Sequence, residues 1–139
     1  MGAIRNTEAA MTISAMNHFT ILSDNLDATV EFYGDLLGLT PGPRPPFTFP
    51  GAWLYAEGAN HAILHVIADR PRTQLVKGVI DHNAFTGHGL SDTVAKLKAR
   101  GIPYNLGRLP TFDTWQLFFC DPNGALVEID FDLAEPAPA

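Results

Sequence analysis

The stretch "LFFCDPNGALVEI", residues 117–129, gives the clearest indication of the fold. Two runs of apolar and aromatic residues flank the tetrapeptide Asp-Pro-Asn-Gly. Proline at its second position and glycine at its fourth are typical of a type I turn. The stretch therefore predicts a hairpin of two strands, residues 114–120 and 125–131, with one carboxylate, Glu128, inside the second strand.

The chain also contains an internal repeat. The segments "NLDATVEFYGDLLGL", residues 25–39, and "GLSDTVAKLKARGI", residues 89–102, share a leucine, a threonine and a valine at an offset of 64 (90 − 26). His18 and His82 are separated by the same offset. His65 and Glu128 follow at an offset of 63 (128 − 65), which a one-residue deletion in the second helical region explains.

Each half of the repeat predicts a strand, a helix and three further strands. The first strands are predicted at residues 16–22 and 79–85, and each helix is expected to end at a glycine, Gly38 or Gly101. Asp24 or Asn25 can cap the first helix. The later strands are predicted at 52–56 and 62–68 in the first half, and at 104–109, 114–120 and 125–131 in the second. Prolines in "TPGPRPPFTFP" obscure the remaining strand of the first half.

These elements predict an α+β fold made of two βαβββ modules in tandem. Residues 16–132 are expected to form a single domain, with modules at about 16–68 and 79–132. Residues 1–15 are interpreted as a flexible N-terminal extension and residues 133–139, rich in proline and alanine, as a flexible tail.

Composition limits the possible partners. The formal net charge is −6, without a cluster of basic residues, so nucleic acid and anionic membranes are not expected as partners. No apolar run is long enough to cross a bilayer, and the first residues lack the pattern of a signal peptide. The single cysteine, Cys120, favours a cytoplasmic location, and it is expected to be buried.

Four residues at matching positions form the candidate site: His18, His65, His82 and Glu128. Taken singly, a histidine in a strand is more often a packing residue, and Glu128 could simply face solvent. If the modules pair about a pseudo-twofold axis, however, the four side chains converge. Buried together they would be costly without a cation, and imidazole and carboxylate are natural ligands of a divalent transition metal. We therefore predict one such ion per chain, Zn, Ni, Fe, Co or Mn.

The segments "MNHFTI", "FYGDLLGL", "IDHNAF" and "LFFCDPNGALVEI" resemble the vicinal oxygen chelate superfamily, which includes glyoxalase I, extradiol dioxygenases, and fosfomycin- and bleomycin-resistance proteins. The resemblance implies paired βαβββ modules that form a cupped mixed sheet around a metal site, with metal ligands at His18, His82 and Glu128. It also implies a homodimer that can share its sites between subunits, and a small-molecule substrate. In glyoxalase I a second glutamate usually occupies the position of His65, so this chain departs from the pattern there.

The resemblance favours a metal-dependent lyase or isomerase of the glyoxalase type, which stabilises an enediolate of a small oxygenated substrate, with Glu128 as the catalytic base. Two alternatives remain open. His18, His82 and Glu128 alone would form the facial triad of a non-haem iron dioxygenase. A drug-binding resistance protein would instead hold its ligand in an aromatic cleft.

Aromatic and polar residues near the predicted ligands are candidates for substrate binding, although each could equally pack in the core or face solvent. Trp53 corresponds to Gln116 in the repeat, and Trp115 lies beside it. Arg44 could bind a substrate carboxylate. The candidates are Arg44, Phe47, Phe49, Trp53, Trp115 and Gln116.

Overall fold

The computed structural model describes residues 10–139, so most of the predicted N-terminal extension lies outside the described residues. Two α-helices and eight strands follow one another in the order that the repeat predicts. The first module contains β1 (Phe19–Leu22), α1 (Leu26–Leu37), β2 (Thr40–Pro41), β3 (Gly51–Tyr55) and β4 (Ala62–Ile67). The second contains β5 (Asn83–Thr86), α2 (Leu90–Ala99), β6 (Tyr104–Leu109), β7 (Thr114–Cys120) and β8 (Leu126–Asp132).

The strands form two four-stranded mixed sheets, ordered β1-β4-β3-β2 and β5-β8-β7-β6. In each sheet the first strand of the module pairs in parallel with the last, and the other two pairs are antiparallel. The α+β architecture of two tandem βαβββ modules is therefore confirmed. The strand that the prolines obscured is β2, which is only two residues long.

The two first strands begin later than predicted. β1 starts at Phe19 and β5 at Asn83, so His18 and His82 each lie one residue before a strand instead of within it. The reason is the parallel pairing. β1 pairs with β4 only from Phe19, opposite Leu64, although β4 already begins at Ala62. β5 likewise pairs with β8 only from Asn83, opposite Val127, so the start of pairing, and not the start of the partner strand, sets where each first strand begins.

Local sequence explains how the helices begin and end. Asn25 caps α1 because its side-chain oxygen accepts a hydrogen bond from the Ala28 amide at 3.1 Å. Gly38 ends α1 in the left-handed conformation, with a φ of 68°, as predicted. In the turn before β8, Asp121 accepts hydrogen bonds from the amides of Asn123 and Ala125, both at 2.8 Å.

One apolar core joins the two modules. Alternate residues of the central strands, such as Leu64 and Leu117, are fully buried against residues of both helices, such as Phe32 and Leu97. Phe32 of α1 also contacts Phe119 of β7, with ring centroids 6.0 Å apart. The helices therefore cover one face of each sheet, and the opposite faces carry the residues that alternate with the core.

A buried polar network also connects the modules. The Tyr33 hydroxyl in α1 donates to Asp121 Oδ2 at 2.7 Å, and both residues are at most 5% exposed. Burial and the Asp121 carboxylate raise the pKa of Tyr33, so its hydroxyl remains a donor. Asn123 Nδ2 extends the network to Thr29 Oγ1 at 3.1 Å. At the surface, Arg100, which directly follows α2, pairs with Glu31 and Asp35 of α1.

We expect Asp121→Ala to lower the free energy of unfolding by about 2–4 kcal/mol, because the Tyr33 hydroxyl and two turn amides lose their acceptor. Asp132→Ala is the matched control. It also removes a carboxylate that accepts from an amide two residues on, but at an exposed position, and should cost less than about 1 kcal/mol. Urea unfolding of both variants measures the difference, and equal losses would show that the network does not stabilise the module interface.

The beginning of the predicted flexible tail is anchored. Leu133 packs against the core, and Glu135 Oε1 accepts hydrogen bonds from the amides of Gly89 and Leu90 at the start of α2. A carboxylate at this end of a helix satisfies free amides and complements the helix dipole. Among residues 10–139, neither helix has the length and hydropathy needed to cross a membrane.

Candidate functional site

The candidate ligands lie on the sheet faces that the helices leave uncovered. In β4, His65 alternates with the buried residues Leu64 and Val66. In β8, Glu128 similarly alternates with Val127 and Ile129. Successive side chains of a strand point to opposite faces, so both candidate ligands face away from the helices. His18 and His82 lie directly before β1 and β5, at positions that continue the same alternation between the two faces.

His82 and Glu128 form the first of two pairs. His82 Nε2 lies 3.2 Å from Glu128 Oε2, and the other carboxylate oxygen, Oε1, accepts a hydrogen bond from Gln116 Nε2 at 2.8 Å. Glu128 is only 6% exposed, whereas the His82 side chain is 34% exposed. The carboxylate is thus held in one orientation, with Oε2 directed at the histidine.

The surroundings of this pair shift its protonation. Burial raises the pKa of Glu128, and the neighbouring Asp130 carboxylate raises it further, while His82 opposes the shift. The hydrogen bond to Asp81 raises the pKa of His82, with Glu128 adding to the effect. One oxygen of Asp130 is buried without a hydrogen-bond partner among the described residues.

His18 and His65 form the second pair. Their rings stack with centroids 3.8 Å apart, and the Trp53 indole stacks on the other side of His65 at 4.0 Å and an interplanar angle of 7°. Burial lowers the pKa of His65, with nearby cationic side chains adding to the effect. A neutral imidazole keeps a lone pair free to bind a cation.

A cleft between β1 and β5 is lined by one histidine of each pair, His18 and His82. Its volume is about 340 Å³. Within residues 10–139 of one chain, no three of the histidine, cysteine or acidic side chains approach closely enough to hold an ion. The structure thus brings the four predicted ligands together as two pairs, and the four-ligand site stays a prediction.

Four of the predicted substrate-binding residues, Arg44, Phe47, Phe49 and Trp53, form a wall beside His65. The Arg44 guanidinium lies over the rings of Phe47 and Phe49, with its carbon 5.0 and 5.1 Å from their centroids. It also donates to the Phe49 carbonyl oxygen at 2.9 Å, which fixes the proline-rich loop. The Phe47 ring is 6.4 Å from Trp53, so the wall continues to the stacked histidines.

Trp115 and Gln116 lie on opposite faces of β7. Gln116 faces the candidate site and bonds Glu128, whereas Trp115 is buried in the core and its indole N–H donates to the Glu135 carbonyl at 3.0 Å. The structure therefore separates Trp115 from the other candidates. Cys120, expected to be buried, is exposed because it ends β7 on the uncovered face.

Two residues that the sequence reasoning missed contact the candidate ligands His18 and His82. Asn17 Oδ1 lies 2.7 Å from His18 Nδ1, and Asp81 Oδ2 lies 2.7 Å from His82 Nδ1. The signal was available in the sequence, since Asn17 and Asp81 are separated by the same offset of 64 (81 − 17) as the histidines that follow them.

Known proteins share this architecture. A solved structure of the fosfomycin resistance protein FosX from Listeria monocytogenes matches with a TM-score of 0.68 at 15% identity, covering 86% of this chain and 94% of FosX. A glyoxalase family protein from Bacillus anthracis matches with a TM-score of 0.69 at 18% identity, covering 89% of this chain and 99% of that protein. At these identities the likeness establishes the fold alone.

Sequence comparison identifies the family. "Glyoxylase I 4" of Arabidopsis thaliana is 29% identical over 122 residues, which span 84% of this chain and 70% of the relative. The family model described as Glyoxalase/Bleomycin resistance protein/Dioxygenase superfamily matches residues 15–129, which reach from β1 into β8 and include all four predicted ligands. The chain therefore belongs to the Glyoxalase/Bleomycin resistance protein/Dioxygenase superfamily.

Proposed function

We propose that this protein is a metal-dependent lyase or isomerase of the glyoxalase type, acting on a small substrate with two neighbouring oxygens. The observation that carries the proposal is the Glu128 carboxylate, buried on the uncovered sheet face, oriented by Gln116 and 3.2 Å from His82 Nε2. The 29% identity to "Glyoxylase I 4" supports the same class.

The donor set fits a divalent transition metal. Two donors at right angles on such an ion, each about 2.1 Å away, would be about 3 Å apart, close to the separation of His82 Nε2 and Glu128 Oε2. His18 and His65 would supply two further imidazole nitrogens. Their stacked rings would have to rotate, since the in-plane lone pairs of parallel rings do not converge on one point. One ion per chain is the proposed stoichiometry.

Glu128 is the proposed base. It would remove a proton from the hydroxyl-bearing carbon beside a substrate carbonyl and return it to the carbonyl carbon. The hydroxyl proton would pass to the former carbonyl oxygen, which completes the conversion of one hydroxycarbonyl isomer into the other. The burial that raises the pKa of Glu128 favours this role, because a base transfers protons most effectively when its pKa approaches the working pH. When bound, the metal would supply Lewis-acid stabilisation of the negative charge that develops on the two substrate oxygens.

The wall of Arg44, Phe47, Phe49 and Trp53 would bind the part of the substrate that does not react. The rings of Phe47 and Phe49 stack with centroids 5.0 Å apart and are 44% and 37% exposed, so together they present an apolar surface to a ligand. Arg44 supplies the positive charge of this wall. A substrate with an apolar or aromatic group and a carboxylate would match both features.

A homodimer is part of the proposal, since a second copy could bring His18 and His65 of one chain against His82 and Glu128 of the other. Apolar residues are exposed next to both pairs, with Met16 at 69%, Val79 at 102% and Ile80 at 70%. Burial of these side chains would favour association. A cytoplasmic location, suggested by the single cysteine, completes the proposal.

Metal analysis and an activity assay test the proposal together. Protein purified without chelators or a histidine tag should contain about one first-row transition metal per chain, since imidazole ligands favour these ions over Mg and Ca. It should convert the hemithioacetal of methylglyoxal and glutathione, or a smaller hydroxycarbonyl, only when loaded. Absence of any bound metal, together with unchanged melting after addition of each metal, would overturn the enzymatic proposal.

The same preparation decides between the proposed function and its alternatives. Oxygen uptake with catechols after anaerobic iron loading would indicate a dioxygenase built on His18, His82 and Glu128. Tight binding of an aromatic drug without turnover would indicate a resistance protein.

A further inference from the structure

The residue before each site histidine repeats a structural role. Asn17 and Asp81 both place a side-chain oxygen 2.7 Å from Nδ1 of the histidine that follows. The two acceptors belong to different modules and different residue types. What the modules share is therefore a histidine together with an oxygen acceptor on its Nδ1 side.

Packing does not explain this repetition. The Asp81 side chain is 76% exposed, and Asn17 is also exposed. Exposed polar side chains away from the core contribute little to folding stability. The contact must instead act on the histidine ring that it touches.

The contact determines which ring nitrogen is available. A neutral imidazole carries one N–H, and when Nδ1–H donates to a neighbouring oxygen the lone pair lies on Nε2. For His82 this is the nitrogen that faces Glu128 Oε2. Histidines that bind metals commonly have such a partner on the other nitrogen, which fixes both tautomer and ring orientation.

The two partners differ in strength. Asp81 contributes a carboxylate, and hydrogen bonds to ionised groups are roughly twice as strong as neutral ones. Asn17 contributes an amide oxygen that His61 Nε2 also approaches, at 3.0 Å, so its acceptor is shared. The hydrogen bond on the Nδ1 side of His82 is therefore the stronger of the two.

We propose that Asn17 and Asp81 are positioning residues that present Nε2 of His18 and His82 to the metal, and that Asp81 makes the His82–Glu128 pair the tighter half of the site. This proposal rests on the proposed function as far as the metal is concerned. The orientation of the rings can be tested without any metal.

The first measurement is nitrogen-15 NMR of the imidazoles in metal-free protein, at a pH where both are neutral. In the wild type, His82 should be mainly protonated at Nδ1. In Asp81→Ala the population should shift toward a mixture of both tautomers, while Asp81→Asn, which retains an oxygen acceptor, should restore most of the wild-type signal. A wild-type tautomer population in Asp81→Ala would overturn the proposal.

The second measurement is metal affinity by competition with a chromophoric chelator. Asp81→Ala should weaken binding about 10–100-fold, the loss usually seen when the partner of a metal ligand is removed. Asn17→Ala should weaken it less, and Asp81→Asn should lie between wild type and Asp81→Ala. The control is Asp92→Ala, which removes an exposed carboxylate from α2 and should change affinity less than about twofold.

The outcomes separate the two proposals. A wild type that binds no metal would remove the proposed function, and the tautomer measurement would still decide whether Asp81 orients His82. Equal metal affinity in Asp81→Ala and Asp92→Ala would overturn the positioning role while leaving the metal site intact.

Discussion

Glu128→Gln should lower turnover by at least about 100-fold while leaving metal content close to that of the wild type. The amide keeps the shape of the side chain and one oxygen that can bind a cation, but it cannot accept the substrate proton. General bases contribute about 10²–10⁴-fold to rate, and Glu128 is the proposed base. The measurements are metal analysis and initial rates on the metal-loaded variant.

Glu57→Gln is the matched control for this change. Glu57 lies exposed in the turn between β3 and β4, so the same loss of charge there should leave the rate within about twofold of the wild type. If Glu128→Gln retained a third or more of the activity, another group would have to act as the base. If it lost metal and activity together, Glu128 would be a metal ligand. Single-turnover rates at saturating metal would then show whether it also acts as the base.

His82→Ala is expected to reduce metal affinity by more than about 100-fold, because removal of a ligand should exceed the loss caused by removal of a ligand's partner. The metal-free fold should persist, since His82 precedes β5 and its side chain is 34% exposed. His18→Ala should behave in the same way. If these histidines served packing instead, each variant would destabilise the metal-free protein by roughly 1–3 kcal/mol.

The control for the histidine variants is His88→Ala, which removes an exposed histidine of the same module beyond the end of β5. Metal content and the melting temperature of chelator-treated protein are measured for all three variants. Wild-type metal content in both His18→Ala and His82→Ala would remove these residues from the site. If His88→Ala lost metal as well, the loss would be a general effect of removing surface imidazoles.

The module order could be predicted from sequence because each element carries its own local signal. The Asp-Pro-Asn-Gly turn fixed the hairpin of β7 and β8, and the bounds predicted for β6 and β7 agree with the structure. The first strands were predicted too long, because the apolar patterns before Phe19 and Asn83 do not show where the parallel pairing begins. Which residues pair between strands is a tertiary property, and the sequence of one strand does not determine it.

Alternation along β7 also predicts which of its side chains face the core. The repeat matched Trp53 to Gln116, and strict alternation along β7 then places the adjacent Trp115 on the core side, where the structure has it. Cys120 follows from the same alternation as a residue of the uncovered face. How far His18 and His65 lie from His82 and Glu128 could not be derived in this way, because that distance depends on how the two sheets approach each other across the cleft.

Because Trp53 stacks on His65, its fluorescence can report whether the candidate site is occupied. The chain has two tryptophans, and the structure separates their environments: one indole lies 4.0 Å from a candidate ligand, while Trp115 is buried and hydrogen-bonded to the Glu135 carbonyl. Paramagnetic ions quench indole emission at short range, so occupancy of the site should dim Trp53 and leave Trp115 as an internal intensity standard. Emission spectra of Trp53→Phe and Trp115→Phe would assign the two contributions, and site occupancy could then be followed in real time on unlabelled protein.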